Sequence, residues 1–504
     1  MVALRIIFRI AEIIAGWVEA KGCIINEKDC MDHSPLGWAA RNGDEEEVKI
    51  LLDRGDIDPD KEGDDGRTPL VLAAYNGHEG VVKILLGRED VNPNKSDNRG
   101  KTALFYASEN GHEGVVKILL GRGDVNPNKT DNLGRTPLLV AAFKQREGVV
   151  RQLLARRDVD PNRTNNGGQT PLWCATRRRY EGVMEILLGR DDVNPNKPGP
   201  NGETPLWWAV RKGYHRVVKL LLRRGDINPD KLNHTGQTPL SWAAENGYSG
   251  VVEILLGRDD VNPNRPDGQG RTPLLLAALN GNERMLKILL GRGDVNPEEP
   301  DDEGRTPLIY AAWNGHEGVV EMLLGCGDVD PNKSDNYGLT PLGWAADHGR
   351  EGVVKLLLRR DNVNPNRPDE QGRTPLLMAA RRGHEKVVKI LLRREDIDPN
   401  KPDKQGQTPL SMAARRGHMK VVKILLGRKD IDPNKPDKRG KTPLSMAASR
   451  GHGRVVEVIL GREGIDPNKP DNYGQTPVWY AAKNRHARVV ALLLNTYWTS
   501  GPDP

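Results

Sequence analysis

Seven histidines fall on one grid: His78, His112, His316, His384, His418, His452 and His486. The last four follow one another at intervals of 34 residues, and a row of imidazoles invites a zinc reading. Zinc draws its ligands to about 2.0–2.1 Å, whereas packed helical layers stand about 8–10 Å apart. The row therefore reads as structural rather than as a metal site. Gly100-Lys101-Thr102 and Gly440-Lys441-Thr442 end like a phosphate-binding loop, but the earlier glycine that loop needs is Lys95 or Lys435 here. Arg-Gly-Asp, the adhesion tripeptide, begins at Arg54, Arg122, Arg224 and Arg292. Arg88 with Asp90, and Arg258 with Asp260, keep the same spacing without the Gly. Surface ion pairs, individually weak, account for all of them. A catalytic centre wants one convergent cluster of acids and bases. Here they recur at fixed positions along the chain, with no Gly-x-Ser-x-Gly and no His-Glu-x-x-His. The expectation is a protein that is not an enzyme and uses no metal and no cofactor.

A repeat positions these residues. Thr-Pro-Leu begins at Thr68, Thr136, Thr170, Thr204, Thr238, Thr272, Thr306, Thr340, Thr374, Thr408 and Thr442. Ser34-Pro-Leu, Thr102-Ala-Leu and Thr476-Pro-Val complete 14 repeats of 34 residues without an insertion. In the unit from Thr68, the hydroxyl suits a helix cap and Pro69 suits the first helical position. Leu70, Ala73 and Ala74 form a small apolar face. The Ala73 position is Ala in every unit, from Ala39 to Ala481, which predicts two helices packed at close range. Gly77 ends the first helix in the left-handed conformation. Val81, Val82, Ile84, Leu85 and Leu86 predict the buried stripe of a second helix. Asn92-Pro-Asn and Gly100 then turn the chain back.

The unit Gly-x-Thr-Pro-Leu-x-x-Ala-Ala-x-x-Gly-His-x-x-Val-Val-x-x-Leu-Leu resembles the ankyrin repeat, over residues 34–495. Near-identical copies and the Asp-Val-Asn-Pro-Asn loop are similar to the long arrays of filamentous fungi. The resemblance implies an all-α solenoid of helix–turn–helix repeats with projecting hairpin loops. Two features depart from the family. Its His after Thr-Pro-Leu is absent, the position holding Gly37, Val71, Phe105, Leu139, Trp173, Trp207 and Ser241 in the first seven units. The period exceeds the family's usual 33, with the extra residue in the Pro-containing loop. Residues 1–33 keep the register weakly, with Ile13, Ile14, Trp17 and Val18 on the second-helix stripe. They read as a degenerate capping half-repeat or as the remnant of a longer protein with an upstream domain. Residues 496–504 read as a tail. Gln145 and Arg179 replace the helix-ending Gly in two successive units, which marks residues 136–203 as the softest interior segment.

Of 504 residues only 37% are hydrophobic, too few for one spherical core but enough for thin stacked layers. Cys23, Cys30, Cys174 and Cys326 form no Cys-x-x-Cys pair and read as free thiols of a reducing compartment, though a Cys23–Cys30 bridge stays open. Arg5, Arg9 and Glu12 interrupt the apolar stretch 2–18 well short of a membrane span, and no signal cleavage pattern follows. An intracellular monomer, cytoplasmic or nuclear and off the membrane, is expected. The Asn-x-Ser/Thr sites at Asn94, Asn128, Asn162, Asn233 and Asn332 are then expected to stay unmodified.

The resemblance implies a partner bound on the hairpin tips and the exposed side of the first helices, the concave face of such arrays. The variable residues there are Tyr75, Asn76, Glu109 and Asn110 early, then Leu279, Trp313, Asn314, Asp347 and His348. Late repeats offer Arg381, Arg382, Arg415, Arg416, Lys438, Arg439, Lys441 and Arg450. The formal net charge of +6 hides a strong polarity. Residues 291–370 hold 8 Lys and Arg against 16 Asp and Glu, whereas residues 371–460 hold 21 against 9. A face of one sign attracts the opposite charge. The expected function is a non-catalytic scaffold or adaptor. It would bind an acidic protein through an Arg381, Arg415 and Arg450 ladder, with Trp313 as an apolar anchor. Nucleic acid is not expected, because Glu385, Glu395, Asp396 and Asp398 interleave the basic block and no aromatic platform accompanies it. Two alternatives remain: the ligand-sensing region of a larger signalling protein whose nucleotide-binding switch is not encoded here, or a mechanical spacer.

Overall fold

Each repeat begins with a helix led by proline, except at Ala103. In the computed structural model, which describes residues 34–499, the Thr68 hydroxyl accepts the Val71 N–H at 3.3 Å and starts the helix Pro69–Asn76. Gly77 stops it with φ 83°, donating its N–H to the Ala73 carbonyl. The second helix, Glu79–Leu86, follows at once with Glu79 in its first turn, where the helix dipole favours a carboxylate. Among the described residues 28 α-helices form 14 such pairs. They contain no strand beyond one isolated bridge between Ser96 and Thr102. The chain divides into two compact units, Met1–Pro239 and Leu240–Pro504.

The half-repeat expected at 1–33, Cys23, Cys30 and the segment past 499 lie outside the described residues. The last helix, Ala487–Thr499, runs into the segment expected as a tail. Cys174 and Cys326 are free thiols. Among the described residues no helix is long and apolar enough to cross a membrane.

Burial follows the pattern with one difference. Every Ala of the column from Ala39 to Ala481 is fully buried, so neighbouring layers leave no room for a longer side chain there. In the second helix Val81, Val82 and Leu85 are buried, but Ile84 and Leu86 are only half-buried. A helix of eight residues turns only one narrow stripe, spaced i, i+1 and i+4, toward its neighbours.

The conserved-looking Gly and His columns form one interlayer contact. His418 Nε2 donates to the Arg381 carbonyl of the preceding repeat at 3.0 Å. Its ring covers Gly383, where an added Cβ would stand 2.6 Å from His418 Nδ1. Gly383 also has φ 82°, so backbone and space both demand glycine. His78, His112, His316, His384, His452 and His486 make the same bond to carbonyls 37 residues earlier. The contact changes in the repeats from Thr136 and Thr170. Gln145 and Arg179 take φ 60° and 61° there, and Tyr180 and Tyr214 stand in the His column of the layers that follow. The Arg179 guanidinium lies 4.8 Å from the Tyr214 ring centroid instead. Arg485 is a third such residue, at φ 61°, which the sequence reading passed over.

Left-handed backbone on a non-glycine residue costs about 1–2 kcal/mol, and among interior repeats Gln145 and Arg179 are the two that hold it at the helix-ending position, whereas the His is also replaced at Arg146, Tyr248, Asn282 and Arg350. Amide hydrogen exchange is therefore expected to be fastest, among interior repeats, across residues 136–203. Protection that is even along the array would contradict this.

Candidate functional site

The hairpin tip between repeats is built on an aspartate. Asp437 Oδ1 accepts the N–H groups of Arg439 and Lys441, both at 2.9 Å. Gly440 turns the chain at φ 81°. Tips then join from layer to layer: Lys438 N–H donates to the Gln405 carbonyl and Asn472 N–H to the Arg439 carbonyl, each at 3.0 Å. Lys438, Arg439 and Lys441 thus project from a fixed backbone.

In four repeats the residue just before the capping Thr meets the residue seven after that Thr. Lys101 Nζ pairs with Glu109 at 2.7 Å, which accounts for the first Gly-Lys-Thr. Glu203 pairs with Arg211 at 2.7 Å. Arg67 lies over the Tyr75 ring and Arg305 over the Trp313 ring, at 5.2 and 5.1 Å. In the repeat from Thr408 the positions hold Gln407 and Arg415, with only a 3.5 Å bond between them. In the repeat from Thr442 they hold Lys441 and Ser449.

Those two repeats form a cleft of about 360 Å³ lined by Arg415, Lys438, Arg439, Lys441 and Arg450, with Asp437 its one carboxylate. None of the five cations has an ion-pair partner among the described residues. Lys441 Nζ lies 4.2 Å from the Tyr480 ring centroid and feels the Asp471 carboxylate, which itself bonds the Tyr480 hydroxyl at 2.5 Å. Seven of the 16 other cations of the basic block pair with acids of the chain. Arg373 meets Asp369, Lys386 meets Glu351, Lys420 meets Glu385, and Arg394 and Arg428 meet Asp396 and Asp430.

The expected binding residues therefore separate. Arg381 and Arg382 both reach Asp347 of the preceding repeat, at 3.4 and 3.0 Å. Burial pushes the Asp347 carboxyl up, but the Arg382 bond and the two guanidinium charges prevail and hold it below its usual value. Arg416 is exposed and outside the cleft lining. Arg450 belongs to the column of Arg382 and Arg416, since Ser449 occupies the Arg415 position; the cleft still brings Arg415 and Arg450 together. Trp313 is half-buried, stacked on Tyr310 and on Trp344 at centroid distances of 5.9 and 4.4 Å. It is engaged within the protein rather than standing free. Asn76, Asn110 and Asn314 donate their side-chain amides to carbonyls of the preceding repeat.

The Arg-Gly-Asp motifs have a role that a surface ion pair understates. Arg122 grips Asp124 with Nε and Nη2 at 2.9 and 2.6 Å. Its Nη1 donates to the Leu86 carbonyl at the end of the preceding second helix, at 3.1 Å. An added Cβ at Gly123 would meet nothing, so the Gly is incidental. Asn94 Nδ2 donates to the Asp124 carbonyl at 2.6 Å while its Oδ1 accepts the Asn126 N–H, so a glycan on Asn94 would break this strap.

Two strongly displaced groups, Glu47 and Cys174, lie in separate repeats. Burial, with Asp44 nearby, pushes Glu47 up to about 7. Burial pushes the Cys174 thiol up to about 12. Among the described residues no three His, Cys, Asp or Glu side chains converge as metal ligands; the His column uses Nε2 on carbonyls.

Arg122→Lys keeps the charge but loses the fork and the helix-end bond. It is expected to destabilise the array by about 1 kcal/mol in urea unfolding; an unchanged midpoint would show the contact to be idle.

A family model described as ankyrin repeats (3 copies) matches the chain in overlapping windows, 9–97, 36–131, 87–165, 116–198, 184–267, 258–335, 342–437, 394–471 and 429–503. No curated protein matches it. The chain belongs to the ankyrin-repeat family, whose repeats are protein–protein interaction modules.

Proposed function

We propose that the protein is a non-catalytic scaffold or adaptor that binds an acidic protein on the hairpin tips and first-helix ends of the repeats from Thr408 and Thr442. One observation carries the reading: five cations converge on one cleft with a single carboxylate among them. Elsewhere in the basic block Arg373, Arg381, Arg382, Lys386, Arg394, Lys420 and Arg428 face acids of their own chain. Opposite charge on a partner would both steer encounter and occupy the cleft. The Arg381 end of the expected ladder contributes less, because Asp347 already neutralises it.

Two charge-reversed chains test this in partner capture from a native lysate. Arg415→Glu with Arg450→Glu is expected to abolish capture, and Arg381→Glu with Arg382→Glu to reduce it only partly. Equal loss in both would return the site to the whole ladder. Capture unaffected by either would remove the basic face from the function, and no capture by any form would favour a spacer.

A further inference from the structure

The cleft asks for a particular kind of anion. In the repeats from Thr102 and Thr204 the positions one before and seven after the capping Thr hold opposite charges in contact. The repeats from Thr408 and Thr442, like several others, carry no acid at these positions, and there Arg415 and Lys441 both line the one cleft. The tips repeat the omission. Asp131, Asp267 and Asp369 each bind an Arg four residues on, but Lys441 at that position makes no ion pair with Asp437. Lys438 and Arg439 then add two more cations.

Five cations against one carboxylate exceed what a single Asp or Glu side chain could balance. A phosphomonoester carries about −1.5 to −2 charges at pH 7 and three strong acceptor oxygens, and Arg forks match those oxygens. Gln405, Gln407 and Ser449 make the wall polar, and the only apolar lining side chain is Met446, so an apolar segment would gain little there. The positive field is also short. Asp347 answers Arg381 and Arg382 on one side; on the other the tip positions become Asn472 and Gln475, and Lys483, the next cation of the Arg415 column, lies over the Trp479 ring. An extended polyanion such as a nucleic acid backbone would need a longer stripe.

We propose that this cleft receives a phosphorylated serine or threonine side chain of the partner, with Arg415, Lys441 and Arg450 taking its oxygens. The inference rests on the protein-binding reading above and names the group that the site recognises.

The full chain would be passed over immobilised degenerate peptide pools carrying a fixed phosphoserine, aspartate or serine. Retention on the phosphoserine pool should exceed the other two by about tenfold or more. Lys441→Gln with Arg450→Gln should remove that excess. So should Ser449→Glu, which restores an acid opposite Lys441 as Glu109 stands opposite Lys101 and leaves the fold intact by circular-dichroism melting. Arg416→Gln, outside the cleft, should retain the excess. Equal retention on aspartate and phosphoserine, retention that survives Ser449→Glu, equal loss with Arg416→Gln, or no retention at all overturns the proposal. Phosphatase treatment of the lysate separates it from the broader reading. Capture that needs Arg415 and Arg450 but survives phosphatase keeps the acidic partner and removes the phosphate; capture indifferent to both removes both.

Discussion

An α-helix of eight residues leaves its last four carbonyls without an internal partner, and this chain answers that deficit from the next repeat. His418 bonds the Arg381 carbonyl, Asn76 the Arg41 carbonyl, and Arg122 the Leu86 carbonyl. Each bond spans about one period, so it exists only while the period is kept. Fourteen copies without an insertion are the sequence's record of that constraint. A single inserted residue would misplace the His, Asn and Arg columns together.

The same constraint decides which side chains are left for other work. The His column, the Asn straps and the Arg-x-Asp forks are fully engaged, however chemically suggestive they look in the sequence. What varies is the pair around the capping Thr, which can be met by an ion pair, a cation over a ring, or neither, with Arg67, Arg305 and Lys441 also reaching a ring of the next repeat. Binding capacity arises where no acid answers the cation. The repeats from Thr408 and Thr442 are such a place, and the fixed hairpin backbone holds their cations apart from one another and around one space.

The sequence made the element plan legible because each device acts locally: Thr68 caps three residues on, Pro69 starts the helix, and Gly77 ends it. The Ala73 column was legible because steric exclusion leaves one residue type. The His column is legible as structural rather than metal-binding, but its acceptor lies 37 residues back, and only the register of adjacent layers reveals it. The same holds for Asp347 with Arg381 and Arg382, both named as variable residues yet not paired in the sequence reading. Trp313 looked like a free anchor because nothing in its own repeat announces Trp344 of the next. The cleft was half legible: its five cations were all named, but the ladder drawn through them ignored that Arg450 sits one position beyond the Arg415 column.

Stability measured in a double-mutant cycle of Ser449→Glu and Lys441→Gln tests most directly whether binding capacity arises from an omitted internal pair. Both single variants, the double variant and the parent chain would be unfolded in urea. The account predicts a favourable coupling of about 0.2–1 kcal/mol between Glu at 449 and Lys441, reproducing the contact that Lys101 makes with Glu109. Zero coupling would mean that Lys441 does not stand open toward position 449, and the unanswered charge on which the cleft depends would not exist.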